Sequence, residues 1–191
     1  MDLLPGVRSA HVDTDRIRMH YLESGSGPVV VLVHGNLSTG RFYEHLMPEL
    51  PGYRVLAPDM RGFGRSEDAP LDARRGLDDW ADDLDAFLRA LGIAEPVHLV
   101  GWSTAGAAIA RFAMARPAAS LTFIDPVSPY GFGGTHADGT PCTPDFAGSG
   151  AAGAAGSGTG VPGVSLPASI PACSRSALAI SALMVRFRPW A

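Results

Sequence analysis

A serine follows an apolar run, and small residues stand two positions before it and two positions after it. Val97–Val100 leads directly into Gly101-Trp102-Ser103-Thr104-Ala105. The spacing follows the G-x-S-x-G pattern, with alanine in place of the last glycine, and this pattern is typical of a sharp strand-to-helix turn that strains its central residue. A serine exposed on such a turn becomes a nucleophile when a neighbouring base takes its proton. Because the pattern is short, the plain alternative is a serine in an ordinary loop.

The segments around this serine have the patterns of strands and helices. Residues 105–115 are rich in alanine, which predicts a helix packed closely on the strand before it. The continuous β-branched run Val29–Val33 predicts a strand covered on both faces. Tyr53–Ala57 is predicted as the next buried strand and Leu121–Ile124 as one more. Apolar residues three and four apart over Leu77–Leu91 predict an amphipathic helix.

The order of these segments predicts the fold class. Strands that alternate with helices, through connections long enough for crossovers, indicate an α/β protein with a mostly parallel sheet and helices on both faces. Val7–Asp13 and Ile17–Glu23 alternate loosely, which predicts an antiparallel hairpin at one edge of the sheet. We also expect a short helix over Arg41–Leu50.

Five aspartates accompany the apolar face of the predicted helix over 77–91. A metal site is one interpretation of such a run. Aspartates near a helix N-terminus, however, favour the helix dipole, and those further along commonly form a solvated face. We therefore expect a solvent-exposed acidic face and no metal for these residues, which are Asp78, Asp79, Asp82, Asp83 and Asp85.

Composition limits the remaining classes of function. The chain has 191 residues, which allows one domain, or one domain and a tail, and 46% of them are hydrophobic. The net charge of -4 gives no indication of nucleic-acid binding. The N-terminus lacks the pattern of a secretory signal and no apolar run is long enough to span a bilayer, so we expect a cytoplasmic protein without a membrane partner. Cys142 and Cys173 are too few and too far apart to indicate a metal site.

Three motifs, each after a predicted strand, resemble those of the α/β-hydrolase superfamily in its serine hydrolase form. They are His34-Gly35-Asn36, the turn Asp59-Met60-Arg61-Gly62-Phe63-Gly64-Arg65-Ser66, and the Ser103 turn. The resemblance covers about residues 6–149 and implies the α/β-hydrolase fold with its last strands missing. It also implies structural roles for His34 and for the Asp59 turn, which includes Arg61, Gly62 and Gly64.

The resemblance assigns chemistry to particular residues. Ser103 would attack a carbonyl carbon and form an acyl-enzyme. The backbone N–H of Thr104, with that of Asn36 or Leu37, would form the oxyanion hole. Epoxide hydrolases and haloalkane dehalogenases of this superfamily carry aspartate at the nucleophile position, whereas serine suits acyl transfer. We therefore expect a hydrolase of a small ester, amide or related acyl substrate, without a cofactor.

The acid and the base of the triad are harder to assign. In this superfamily the chain order is serine, acid, histidine. Only His136 follows Ser103 among the histidines, and Asp125 ends the predicted strand Leu121–Ile124. These two are the candidate base and acid, and their alternatives are a surface loop histidine and a turn residue. The competing hypothesis is a catalytically inactive fragment or pseudoenzyme of the same family that acts only in binding.

The composition changes near residue 150. Residues 1–149 are predicted to form the hydrolase core up to the start of a lid, and residues 150–191 a low-complexity tail rich in alanine, glycine and proline. We expect this tail to be disordered, or to be the last part of a longer hydrolase gene that is translated out of frame after a shift near residues 150–160. Without further strands, Leu121–Ile124 would be an exposed apolar sheet edge, where the chain could self-associate unless the tail covers it.

Overall fold

The fold is an arrangement of strands and helices that follows the predicted order from the first strand to the sixth. A computed structural model describes residues 2–72, 75–127 and 182–186. In chain order the elements are β1 (Arg8–Asp13), β2 (Arg18–Gly25), β3 (Val29–Val33), two 3₁₀ helices (Gly40–Tyr43 and Met47–Glu49), β4 (Arg54–Pro58), α1 (Leu77–Ala90), β5 (Val97–Trp102), α2 (Thr104–Ala115), β6 (Ala118–Ile124) and β7 (Ala182–Arg186).

The seven strands of the described residues belong to one sheet in the order β1-β2-β4-β3-β5-β6-β7. The strands β4, β3, β5 and β6 are parallel, whereas β1 and β2 form the antiparallel hairpin that the sequence predicts at the sheet edge. Because parallel strands end at a common edge, the loops after β3, β4, β5 and β6 all leave the sheet on the same side. This geometry brings the three sequence motifs together.

The sheet is covered on both faces, as the apolar run of β3 predicts. One face packs against α1 and α2, and the other against the two 3₁₀ helices. The prediction of a single helix over residues 41–50 is wrong in its form. Pro48 lies in the first turn of the second 3₁₀ helix, and a proline in the interior of an α-helix removes a hydrogen bond and clashes with the preceding turn.

The acidic side of α1 is not uniformly solvated, which corrects the expectation from sequence. Asp79 and Asp83 are buried, and Asp83 has no exposed surface (0%). The guanidinium of Arg61 donates to both carboxylate oxygens of Asp83, at 2.7 and 2.8 Å. Arg16 donates to Asp83 at 2.7 Å and to Asp79 at 3.0 Å. The two arginines come from separate loops, so helical periodicity alone gives no indication of these pairs.

Removal of the Asp83 carboxylate tests the importance of this pairing. We expect Asp83→Ala to lower the free energy of unfolding by about 3–5 kcal/mol, because two guanidinium groups lose a buried partner. The matched control on the same helix is Asp78→Ala, whose carboxylate is partly exposed and pairs with Arg111, and it should cost less than about 1 kcal/mol. Urea unfolding followed by circular dichroism measures both. Equal losses of unfolding free energy in the two variants would contradict the importance of the Asp83 pairing.

The outer edge of β6 is occupied by a strand that the sequence did not predict. β7 pairs antiparallel with β6, with Leu121 opposite Val185 and Ile124 opposite Ala182. The expected exposed edge at Leu121–Ile124 is therefore covered by a segment of the tail. Apart from β7, the tail lies outside the described residues, so the boundary at residue 150 and the nature of the tail stay predictions.

Candidate active site

Ser103 lies between the last residue of β5 and the first residue of α2. Its backbone has φ 53° and ψ −120°, a conformation that costs a residue with a side chain about 1–3 kcal/mol. Three backbone hydrogen bonds hold it there. The Ser103 N–H donates to the Ile124 carbonyl at 3.0 Å, and the Ser103 carbonyl accepts from the N–H groups of Gly106 and Val127 at 3.0 and 2.9 Å. The strained turn is thus fixed by the first turn of α2, by the end of β6 and by the segment that follows β6.

Small residues are required around this serine because backbone and side chains approach closely. A Cβ atom on Gly101 would lie 2.7 Å from the carbonyl oxygen of Ala105, and one on Gly35 would lie 3.0 Å from the Ser103 Cβ atom. Ala105, which stands in place of the last glycine of the pattern, is fully buried and packs into the core. The spacing recognised in the sequence therefore follows from steric contact at the turn.

The loop after β3 lies directly beside Ser103, as the proximity of Gly35 shows. Its next two residues are exposed, and Leu37 has a positive φ of 55°. The Leu37 N–H donates to the side-chain Oδ1 of Asn36 at 3.0 Å. In the described part of the chain the Asn36 N–H has no such acceptor. Of the two candidate amides in this loop, that of Asn36 is therefore the one open to a ligand.

The amide of Thr104 is the other candidate donor. Thr104 is the first residue of α2, and the first N–H groups of an α-helix have no acceptor within the helix. The positive end of the helix dipole adds to the attraction of this amide for negative charge. Both features suit the binding of an oxyanion next to Ser103.

His34 is buried, and both of its ring nitrogens are engaged in hydrogen bonds. It is fully buried, its Nδ1 lies 2.7 Å from the carbonyl oxygen of Gly35, and its Nε2 accepts from the N–H of Met60 at 2.9 Å. Because Nε2 accepts and the carbonyl can only accept, the proton is on Nδ1 and the ring is neutral. Burial lowers the pKa of His34 below its ordinary value of 6.5. The ring thus connects the end of β3 to the turn after β4.

This buried imidazole predicts a stability that depends on pH. The unfolded chain binds a proton on His34 below its ordinary pKa of 6.5, whereas the folded chain resists that proton. The free energy of unfolding should therefore fall as the pH drops below about 6.5. The variant His34→Gln keeps an acceptor for Met60 but does not titrate, so its loss between pH 7 and pH 5 should be smaller. Urea titrations at each pH measure the free energy of unfolding. An equal loss between pH 7 and pH 5 in the two proteins would contradict the prediction.

The Asp59 turn makes buried hydrogen bonds to neighbouring elements, as the structural role implied by the resemblance requires. Asp59 is buried, its Oδ1 accepts from the N–H of Gly40 at 2.7 Å, and its Oδ2 accepts from the N–H of Arg65 at 2.8 Å. Gly64 has a positive φ of 59°, and a side chain there would overlap the Asp59 carboxylate. Arg61 of the same turn binds Asp83 of α1. The turn therefore joins the carboxyl edge of the sheet to the helix layer.

The structure places one of the two remaining triad candidates. Asp125 follows β6, is exposed and has a positive φ of 42°. His136 lies outside the described residues. Over residues 2–72 and 75–127, no side chain is hydrogen-bonded to the Ser103 hydroxyl. Asp125 as the acid and His136 as the base therefore stay predictions.

Two aromatic rings beside the candidate nucleophile were missed by the sequence analysis. Phe42 and Trp102 stack in parallel, with ring centroids 4.3 Å apart and an interplanar angle of 2°. Phe42 is 54% exposed, although it is a large apolar residue. A Cβ atom on Gly35 would lie 3.0 Å from both the Trp102 ring and the Ser103 Cβ atom, so the stack provides an apolar surface next to the serine. No sequence pattern connects these rings, because one is in a 3₁₀ helix and the other is in β5.

The strain at Ser103 can be measured directly. Glycine adopts a positive φ without steric cost, so Ser103→Gly should raise the free energy of unfolding by about 1 kcal/mol relative to Ser103→Ala. Both variants lack the hydroxyl, which makes them matched controls for each other. Thermal or urea unfolding monitored by tryptophan fluorescence gives the difference. If the alanine variant is as stable as the glycine variant, the turn is not strained.

Comparison with known proteins identifies the family. A family model described as the alpha/beta hydrolase fold matches residues 28–141, which is more than half of the chain. The chain belongs to the α/β-hydrolase superfamily, as its three motifs indicate. The part of the chain that the structure describes contains no helix long and apolar enough to cross a membrane. The same residues contain no cluster of side chains that could hold a metal ion.

Individual relatives within the family carry out different reactions. The chain is similar to a haloalkane dehalogenase from Mycobacterium marinum, at 36% identity over 121 residues, 56% of this chain and 41% of that protein. It is also similar to a 2-hydroxy-6-oxo-6-phenylhexa-2,4-dienoate hydrolase from Burkholderia cepacia, at 35% identity, covering 52% of this chain and 36% of that protein. The solved epoxide hydrolase from an endophytic Streptomyces matches with a TM-score of 0.56 and 33% identity, covering 61% of this chain and 36% of that one.

These relatives are hydrolases, and they are longer than the matched part of this chain. The chain spans less than half the length of the Mycobacterium and Burkholderia proteins. The residues that the family model matches, 28–141, contain β3 to β6, the loop after β3 and the turn at Ser103. Hydrolase ancestry is thus established by the family, while the particular reaction depends on the residues at the site.

Proposed function

We propose that this chain carries the nucleophile and oxyanion hole of a serine hydrolase that acts on a small ester, amide or related acyl substrate through an acyl-enzyme. The observation that carries the proposal is the strained Ser103 at the carboxyl edge of the parallel strands, between β5 and α2. A turn of this kind holds the hydroxyl away from the backbone and presents it to a substrate.

The residue type at position 103 favours acyl transfer over displacement at an alkyl carbon. A serine hydroxyl attacks carbonyl carbons readily once a base has taken its proton. The Burkholderia relative is named for a substrate with an oxo group, which is a carbonyl of the required kind. Similarity to a dehalogenase and an epoxide hydrolase supports the fold and the hydrolase class, and the serine distinguishes acyl transfer from the reactions of those two relatives.

The proposed reaction follows from the position of each group. The Ser103 Oγ atom attacks the carbonyl carbon, and the carbonyl oxygen gains negative charge. The N–H groups of Thr104 and Asn36 stabilise this oxyanion, with the N-terminus of α2 adding its dipole. Loss of one such donor typically costs about 10²–10³ in turnover. In this proposal His136 takes the serine proton and returns it to the leaving group, and Asp125 orients the histidine.

The aromatic stack supports an apolar acyl group as the substrate. Phe42 and Trp102 provide a flat apolar surface beside Ser103. Burial of apolar substrate area against these rings contributes about 25 cal/mol per Å². A small acyl chain or a phenyl ring on this surface would have its carbonyl group near the serine.

The alternative is a chain with the family's architecture but without its activity. One feature of the sequence favours it: His136 is the only histidine that follows Ser103. Loss of the histidine of a triad lowers turnover by about 10⁶-fold, so little hydrolysis would remain. In that case the fold would act in binding.

Covalent labelling distinguishes the two. The full-length chain, shown by circular dichroism to be folded, is treated with a fluorophosphonate and digested with trypsin. We expect one adduct on the peptide of residues 90–111, which contains Ser103, and we expect Ser103→Ala to lack it. His136→Ala should reduce the labelling rate by at least about 10²-fold if His136 is the base. Folded protein without an adduct on this peptide would contradict the proposal and favour the inactive alternative.

A further inference from the structure

A second serine, remote in sequence from the Ser103 turn, takes part in a serine–histidine–aspartate chain of hydrogen bonds. The Ser9 Oγ atom lies 2.7 Å from the Nε2 atom of His20, and the Nδ1 atom of His20 lies 2.7 Å from the Oδ2 atom of Asp59. Ser9 is opposite Leu22 in the β1–β2 ladder, so His20 is its diagonal neighbour on the same face. These residue types and contacts are those of a nucleophile, a base and an orienting acid.

The hydrogen bonds of Asp59 show which atom donates and which accepts in each contact between Ser9, His20 and Asp59. Its Oδ2 already accepts from the N–H of Arg65, and its Oδ1 accepts from the N–H of Gly40. The carboxylate is therefore the acceptor for the Nδ1–H group of His20. A neutral imidazole protonated on Nδ1 has its lone pair on Nε2. The Ser9 hydroxyl consequently donates its proton to His20.

The surroundings of His20 keep the imidazole in its basic form. Burial lowers the pKa of His20, and the nearby His11 and Arg65 lower it further, while the hydrogen bond and charge of Asp59 oppose this. The net effect is a lowered pKa, so the ring is neutral at pH 7. It can therefore accept the serine proton. Asp59 positions the ring and stabilises the imidazolium that forms.

A cavity and a cation accompany these three residues. The cavity has a volume of about 210 Å³, and its lining includes Ser9, His20, Leu22, Thr39 and Arg65. This volume suits a small acyl group. The Nη1 atom of Arg65 lies 3.4 Å from the Ser9 Oγ atom. A carbonyl group bonded to Ser9 would place its oxygen near this guanidinium, which can stabilise a developing oxyanion.

We propose that Ser9 is a second nucleophile, acylated by small esters, with His20 as its base, Asp59 as a positioning residue and Arg65 as the oxyanion donor. The Ser9 Oγ atom bonds to the ester carbonyl carbon while its proton passes to the Nε2 atom of His20. The carbon–alkoxy bond then breaks, and the alcohol leaves with the proton from His20. Water, activated by the same imidazole, releases the acid and restores Ser9. This site is separate from the Ser103 site and is independent of its activity.

Acetylation by p-nitrophenyl acetate tests the proposal. Trypsin separates the two sites, since Ser9 is in the peptide of residues 9–16 and Ser103 is in that of residues 90–111. We expect the full-length chain to gain an acetyl group on Ser9, as located by fragmentation. Thr14 lies in the same peptide and is the internal control for non-specific acylation. The acetylation of Ser9 should persist in Ser103→Ala and disappear in Ser9→Ala.

Two further variants test the roles of the partners. His20→Gln removes the base and should slow acetylation of Ser9 at least about 10²-fold. Arg65→Ala changes an exposed side chain but keeps the backbone N–H that binds Asp59, so it remains informative if His20→Gln does not fold. It should slow acetylation about 10-fold or more. The proposal would be overturned if Ser9 were acetylated no faster than Thr14. It would also be overturned if the rate of Ser9 acetylation were unchanged in a folded His20→Gln or Arg65→Ala variant. An acetyl group found only on the peptide of residues 90–111 would overturn this proposal but would agree with the proposed function of Ser103.

Discussion

The turn after β4 holds both ends of the loop that lies beside the candidate nucleophile. At the start of this loop, the Met60 N–H donates to His34. At its end, the Gly40 N–H donates to Asp59, the residue immediately before Met60. Two adjacent residues of one turn therefore fix a loop that comes from the neighbouring strand. The positions of Asn36 and Leu37 relative to Ser103 depend on this pair of buried polar contacts.

The backbone strain of the molecule is concentrated at the same edge of the sheet. The described non-glycine residues with a positive φ are Leu37, Ser103 and Asp125. Each follows one of the parallel strands β3, β5 and β6. Strained residues persist only where the surrounding structure over-determines them, and here the parallel strands and the bonds to Ile124 and Val127 provide that support. The strain thus coincides with the positions at which the family resemblance expects chemistry.

Features that depend on neighbours in the sequence could be predicted, and features that depend on distant partners could not. The turn at Ser103 was predictable because its steric requirement falls on residues two positions away, and the hairpin of β1 and β2 was predictable from alternation. The burial of Asp83 was not, because its partners Arg16 and Arg61 belong to other loops. The chain from Ser9 through His20 to Asp59 joins three strands or turns, and no periodicity indicates such a contact.

Candidate site residues divide in the same way. The Ser103 turn and the position of the loop after β3 followed from local motifs. The stack of Phe42 on Trp102 depends on packing between a 3₁₀ helix and a strand, and no sequence pattern predicts that contact. Pro48 was a local signal that did count against the predicted helix over 41–50, since it interrupts the helical hydrogen bonds.

The antiparallel pairing of β7 with β6 has a consequence for the order of folding. β5, α2 and β6 are consecutive in the chain, so their contacts close over short separations. β7 begins at Ala182, far beyond the end of β6 at Ile124, and its contacts have a much larger sequence separation. Contacts between distant residues form late, because the entropy of closing the intervening chain must be overcome before they contribute. During synthesis the parallel strands and the Ser103 turn are therefore complete before the last strand can join the sheet edge.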